Sequence, residues 1–411
     1  LREIEIPMNT ARRWILGLAS GSTADGVDAA LVEIAGVGLD LHLQVRRSQS
    51  LPYPHDLREL LLRFGNGQPV PPRQLSLAHR LVGESFAAAA RQLADQATCS
   101  LQQVQCAGVS GHHAWHETEG RFPSTLGLGM AAIVAERTGL TVLSDFRSRD
   151  LAAGGLGTSL TALVDHLLFH DDHEARVLVH LGSLASIIYL PAGTRPRQIL
   201  GFHAGPCNIL LDSLMRQLTG GRESYDPGGK HAVQGRSIEP LLERWLAHPL
   251  IQRRPPKNVP LHVFGDEFVA QALEQLRQMQ GGLHDLLCTA THFVAHCVTD
   301  AVTRFLPERP ARILLSGGGV RNGLLWKLLE QQLQEMPLER IDRYGVPAGA
   351  RKAVAFAGLA ALTLDGVPAN LTTATGASGS RLLGSITPGS AANWARCLAW
   401  MGALGRPLLA A

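Results

Sequence analysis

A chain of 411 residues with 45% hydrophobic and 18% charged residues carries enough apolar material for buried cores and is not a disordered polymer. Its 38 Lys and Arg nearly balance 35 Asp and Glu, and no run of five basic residues occurs, so nucleic acid is not expected as a partner. The six cysteines form no C-x-x-C pair, the longest nearly apolar run (353–364) is too short for a membrane span, and residues 1–5 show no apolar leader; a cytoplasmic protein without membrane contact is expected.

Residues 14–18 predict a buried strand, 20–26 a small-residue turn and 27–32 a second strand. Apolar residues at three- and four-residue spacing over 75–93 predict a core helix. His112, His113 and His116, and later His166, His170 and His173, offer imidazoles that could share a helix face. No cysteine or further ligand stands at a zinc-site spacing, so a structural zinc is not expected. Residues 176–181 lead through a turn at 182–186 into 187–190, repeating the N-terminal hairpin design. A helix is predicted over 283–305, then a strand at 313–316, the turn Gly317-Gly318-Gly319, and a helix from Asn322.

Strand, glycine turn and helix start place bare N–H groups around one point, a geometry suited to phosphate. The segment has neither G-x-x-x-x-G-K-[ST] nor G-x-G-x-x-G, so Walker and Rossmann readings lack their fingerprints. A glycine-tipped hairpin at the head of each half suggests two similar α/β domains gripping phosphates from opposite sides, as in actin and hexokinase. A nucleotide-dependent phosphotransferase is the reading these features favour.

Ordered motifs then give a more specific resemblance. Gly17-Leu18-Ala19-Ser20-Gly21-Ser22-Thr23-Ala24-Asp25-Gly26-Val27-Asp28 resembles GLMSGTSLDGVD. Asp145-Phe146-Arg147-Ser148-Arg149-Asp150-Leu151-Ala152-Ala153-Gly154-Gly155-Leu156-Gly157 resembles DFRxxDxAAGGQG. Gly201-Phe202-His203-Ala204-Gly205-Pro206-Cys207-Asn208, with Asp212 following, resembles GFDTGPGNxLxD. These are motifs of the anhydro-N-acetylmuramic acid kinase family, which the chain resembles over nearly its whole length. That family opens the 1,6-anhydro ring of its sugar with water and phosphorylates the freed O6 with ATP.

The resemblance implies an α/β, two-domain actin-like ATPase / sugar kinase (ribonuclease H-like) fold with an interdomain cleft. Domain one would be 1–147 plus 355–411 and domain two 148–354. It implies ATP with Mg²⁺ as cofactor, an anhydro-sugar or related small molecule as ligand, and a homodimer. Gly21, Ser22, Thr23 and Asp25 would lie near the γ-phosphate, with Asp25 on the metal. Gly182, Ser183, Gly205 and Asn208 would lie opposite, and Gly317, Gly318, Gly319 and Asn322 at the nucleoside end. His116, Asp145 and Arg149 would bind the sugar, and His203, Arg149 and Asp150 would act in catalysis. Turn capping by Asp25 or Asp28, and a structural ion pair of Arg149 with Asp150, remain open beside these roles.

Departures from the family pattern concentrate on chemistry. His203 stands where the family has the aspartate that acts as general base on the attacking water. NIGGxxN reads His180-Leu181-Gly182-Ser183-Leu184-Ala185-Ser186, HGQTxxH keeps only Gly111 and His116, and the small polar and charged residues of PPKSTGRExF have become Val259, Pro260, Leu261 and His262. A side chain at Ser183, where backbone would approach phosphate, predicts weakened nucleotide binding. Two outcomes follow: a kinase with an imidazole base, or an inactive or repurposed paralogue that binds a sugar, a nucleotide or an active homologue.

Overall fold

The computed structural model describes residues 12–118, 122–193 and 196–404, so the leader reading at residues 1–5 lies outside the described residues. In chain order the strands are β1 (Arg12–Ser20), β2 (Gly26–Ala35), β3 (His42–Pro52), β4 (Val104–Val109), β5 (His112–Glu117), β6 (Ser124–Leu128) and β7 (Thr141–Ser144). They continue with β8 (Arg176–Leu181), β9 (Leu184–Leu190), β10 (Leu200–Pro206), β11 (Arg312–Ser316), β12 (Leu338–Arg340) and β13 (Ser385–Thr387).

Two sheets share one topology. The first runs β13-β7-β4-β1-β2-β3 and the second β10-β9-β8-β11-β12. In each, the opening strand pairs antiparallel with a hairpin partner on one side and parallel with a later strand on the other. The third strand of each half is antiparallel again, and the fifth parallel. Each half is therefore the same mixed sheet of order 3-2-1-4-5; β13 adds an antiparallel edge to β7 in the first, and β5 and β6 pair antiparallel as a separate hairpin. This duplication is the two-domain actin-like, ribonuclease H-like architecture, built from the two hairpins read in the sequence.

The predicted helices form with small shifts: Pro72–Gln96, Leu283–Arg304 and Gly323–Gln332. Proline at the first turn of Pro72–Gln96 starts that helix one residue after Pro71. Asn322 precedes the third and caps it, its Oδ1 accepting from Leu325 N–H at 3.1 Å. The apolar run is the helix Arg351–Leu364, which returns the chain to the first sheet and packs on β1, β2 and β4. Two glycines permit that contact. A Cβ on Gly17 would sit 1.7 Å from the Ala353 carbonyl oxygen, and one on Gly108 2.1 Å from that of Phe356.

Beside this helix, Arg13 and Asp365 form a buried bidentate pair at 2.6 and 2.5 Å. Gly38 N–H and Trp400 Nε1–H also donate to the same carboxylate, so its desolvation is offset by four hydrogen bonds. No helix among the described residues is long and apolar enough to cross a membrane.

Two local expectations differ from the structure. The second hairpin turn is only Gly182 and Ser183, because Ala185 and Ser186 pair with Leu181 and His180 and extend β9. His112, His113 and His116 lie on strand β5, not on a helix.

Candidate active site

The cleft between the halves holds a pocket that opens to solvent. The first half supplies Ser20 and Ser22 from the β1–β2 tip, His113, Trp115 and His116 from β5, and Arg147 from the segment after β7. The second half supplies His180, Ser183 and His203, and the segment from Asn258 to His262 closes one side. Lys352, at the start of the returning helix, completes the wall. His203 sits where the β9–β10 register shifts, a bulge that re-aims a side chain. Trp115 and His262 stack at 5.5 Å, and Asn258 Nδ2 donates to Thr118 Oγ1 at 3.0 Å, so both sides touch across the opening.

Polar atoms in this wall are buried without partners: His113 Nδ1, both nitrogens of His116, Arg147 Nε, Thr158 Oγ1 and Asn258 Oδ1. Each such group costs about 1–3 kcal/mol, so their convergence marks a site built for a polar ligand. No Asp or Glu lies among the lining residues described. Burial pushes His203 down to about 4, with the Arg147 and Lys352 charges adding to the effect, so the imidazole is neutral at pH 7. Its Nδ1 accepts from Val259 N–H at 3.3 Å. A neutral imidazole has one proton, so Nε2 carries it and His203 is a donor. That bonding does not suit the general base expected at this position.

The expected sugar-side residues divide. His116 lines the pocket; burial first, then Arg147 and His203, depress it to about 3. Asp150 does not reach the pocket: its carboxylate is buried, accepting from Gly157 N–H and Asn370 Nδ2, each at 2.8 Å, and it anchors the glycine loop. Arg149 is exposed in the short helix Ser148–Ala152 that also holds Asp150, and Asp145 is exposed and accepts from Ser148 Oγ at 2.6 Å. Arg147 is the pocket arginine that sequence reasoning passed over. The third letter of DFRxxD was its available signal, but two arginines within three residues gave no means of choosing.

At the first tip, Asp25 is exposed, taking a hydrogen bond from Thr23 Oγ1 at 2.6 Å and pairing with Arg58 at 3.2 Å. Asp212, in the helix Asn208–Thr219, is close enough to feel Asp25: burial first, then that charge, push its carboxyl up to about 7. The sequence motif contains Asp212, yet no role was assigned to it. Magnesium keeps several waters and takes one or two carboxylates together with substrate phosphates, so Asp25 and Asp212 fit an ion arriving with a nucleotide. Among the described residues, no group of three His, Cys, Asp or Glu could hold a metal unaided.

At the second tip, Gly182, Ser183, Asn208, Gly317, Gly318 and Gly319 do come together. Asn208 N–H donates to the Gly182 carbonyl at 3.0 Å, and Cys207 and Ile209 N–H donate to that of Ser183 at 3.0 and 3.1 Å. Gly317 (φ 89°) and Gly319 pack on Leu181, where added Cβ atoms would lie 2.5 Å from its carbonyl oxygen and 2.7 Å from its Cβ. Gly205 is instead a packing residue, since a Cβ there would lie 2.8 Å from Cys297 Sγ. Asn322 serves as the helix cap already described.

Duplicated 3-2-1-4-5 sheets facing each other across a polar cleft define a two-domain actin-like sugar kinase fold. Comparison with known proteins narrows this class. The chain belongs to the anhydro-N-acetylmuramic acid kinase family, whose model matches residues 13–389. It is 37% identical over 375 residues to the anhydro-N-acetylmuramic acid kinase of Gloeobacter violaceus, covering 91% of this chain and 98% of that one. It is 36% identical over 384 residues to that of Trichormus variabilis, covering 91% and 97%. Among solved structures, the activator of the 2-hydroxyisocaproyl-CoA dehydratase from Clostridium difficile aligns with TM-score 0.44 and 12% identity, over 86% of this chain and 95% of that one.

Proposed function

We propose that this chain binds ATP with magnesium and a sugar of the family's substrate type in the cleft, and that it has lost the hydrolytic opening of the 1,6-anhydro ring. The observation that carries the reading is the pocket wall: no carboxylate lines it among the described residues, and His203 presents a protonated Nε2. Ring opening by water needs an acceptor for the water proton and negative charge near the anomeric carbon. A hydrogen-bond donor provides neither. Loss of a general base is worth about 10²–10⁴ in rate, or roughly 3–5 kcal/mol of barrier.

Binding has different requirements, and the pocket wall supports it. His116, Arg147, Thr158 and Asn258 offer unpartnered polar atoms for a sugar's hydroxyl and acyl groups. Magnesium carried by ATP would neutralise phosphate charge, with Asp25 and Asp212 the residues to hold it. The test is a product assay with Mg-ATP and 1,6-anhydro-N-acetylmuramic acid, run beside a calorimetric titration of the same ligands. Binding without a 6-phosphorylated, ring-opened sugar is expected. His203→Asp should then yield product at least tenfold above the native background. Rapid product formation by the native chain would overturn the reading.

A further inference from the structure

We infer that Arg58 contacts the γ-phosphate of the nucleotide, leaving Asp25 to the magnesium ion. The inference rests on the reading that the cleft binds ATP with magnesium, and it assigns a residue that none of the sequence motifs contains. Arg58 is the fourth residue of the helix His55–Gly65. Its side chain, 28% exposed, lines a second pocket that shares Ser22, His113 and Leu261 with the first. Thr23 of the first tip lines the same pocket, and the helix Asn208–Thr219 supplies Asp212 from the other half. Arg58 Nη2 donates to Asp25 Oδ1 at 3.2 Å, and among the described residues its Nε and Nη1 make no hydrogen bond.

A purely structural role explains little of this arrangement. The Asp25 side chain is 68% exposed, and an ion pair so open to water adds little to stability. The helix gains nothing from the charge, because a cation near its N-terminus meets the positive end of the dipole. Asp25 is also oriented without the arginine, since Thr23 Oγ1 donates to its other oxygen at 2.6 Å. What Arg58 does supply is a cation beside the tip whose Ser22 and Thr23 N–H groups no hydrogen bond engages among the described residues. Those N–H groups are neutral and leave the charge of a terminal phosphate unanswered. Magnesium takes carboxylate oxygens and bridges the β- and γ-phosphates of a nucleotide. An ion on Asp25 would displace the guanidinium from that carboxylate and bring the γ-phosphate within its reach. The planar fork, with two nitrogens already free, then meets phosphate oxygens as a charge-assisted donor.

The experiment is calorimetric titration of the native chain, Arg58→Met and Arg58→Lys with AMP-PNP and with ADP, each at saturating magnesium. Arg58→Met should weaken AMP-PNP about tenfold or more and ADP less than about threefold, whereas Arg58→Lys, which keeps the charge, should hold AMP-PNP within about fivefold of native. Both variants should melt within about 2 °C of the native chain, because the pair they alter is exposed. An arginine that merely pairs with Asp25 predicts the opposite sign. Its removal would free the carboxylate for magnesium and leave AMP-PNP binding unchanged or tighter, and that result would overturn the inference. Equal weakening of AMP-PNP and ADP would overturn the assignment to the γ-phosphate. A native chain that binds neither nucleotide defeats the ATP reading itself and this inference with it.

Discussion

At the β1–β2 tip the loop contains Gly21 to Asp25, and among the described residues no hydrogen bond engages the N–H of Ser22 or Thr23. The equivalent β8–β9 tip has two residues, and its carbonyls take the N–H groups that begin the helix Asn208–Thr219. One tip therefore keeps N–H groups for a ligand, whereas the carbonyls of the other hold the start of a helix. Their glycines differ in the same way. A Cβ on Gly21 would meet only Thr23 Oγ1, at 3.7 Å, an ordinary contact. One on Gly317, which supports the second tip, would overlap the Leu181 carbonyl oxygen at a left-handed φ of 89°. Glycine at a hairpin tip is thus not by itself a sign of phosphate.

The largest expected effect would break this comparison if it failed. Gly317→Ala should cost about 3 kcal/mol or more, through strain and backbone overlap together, and lower the melting temperature by roughly 10 °C or prevent folding. Gly21→Ala should change stability by less than about 0.5 kcal/mol. Thermal unfolding of both variants is the measurement. Similar losses in the two would mean that the tips are built alike.

Much of the fold was legible because its signals are local and repeated. Alternating glycine-tipped hairpins gave both sheet openings, and apolar periodicity gave the helices at Pro72–Gln96 and Leu283–Arg304. Motif order located the cleft. What remained hidden was which side chain of a motif turns inward. Arg147 and Arg149 are chemically identical, and only the backbone path where the helix Ser148–Ala152 begins puts Arg147, just before it, in the pocket and Arg149, within it, in solvent. Asp150 looked catalytic because it is charged beside glycines, yet its bonds to Gly157 and Asn370 involve a partner 220 positions away. The protonated face of His203 depends on Val259 N–H, 56 positions distant, which no spacing rule reaches.

Asp212 sharpens the contrast from the ligand side. Burial and the Asp25 charge push its native carboxyl up to about 7, above the ordinary aspartate value of about 3.9, so between these values the folded state holds a proton that the unfolded state has released. The resulting stabilisation is present below about pH 4 and is lost as pH rises through about 7. Asp212→Asn should therefore raise the melting temperature at pH 8 by a few degrees, about 1–2 kcal/mol after allowance for partial exposure, and give no gain at pH 4. If the gain appears equally at both pH values, charge is not its cause, and the proximity of Asp25 has no energetic consequence.

The smallest effect concerns Ser183, whose side chain replaces a glycine of the family pattern at the second tip. Its carbonyl is occupied by Cys207 and Ile209, so removing the side chain cannot release those helix N–H groups to a phosphate. What Ser183→Gly can change is space, because Ser183 lines the pocket wall. ATP-analogue affinity should tighten by only about two- to fivefold, under roughly 1 kcal/mol, in a calorimetric titration. A gain of a hundredfold would show that the second tip recognises phosphate as fully as the first and that its carbonyl bonds rearrange when a nucleotide binds. No gain at all would place the nucleotide's phosphates wholly on the Ser22–Asp25 side, with the second tip acting as scaffold.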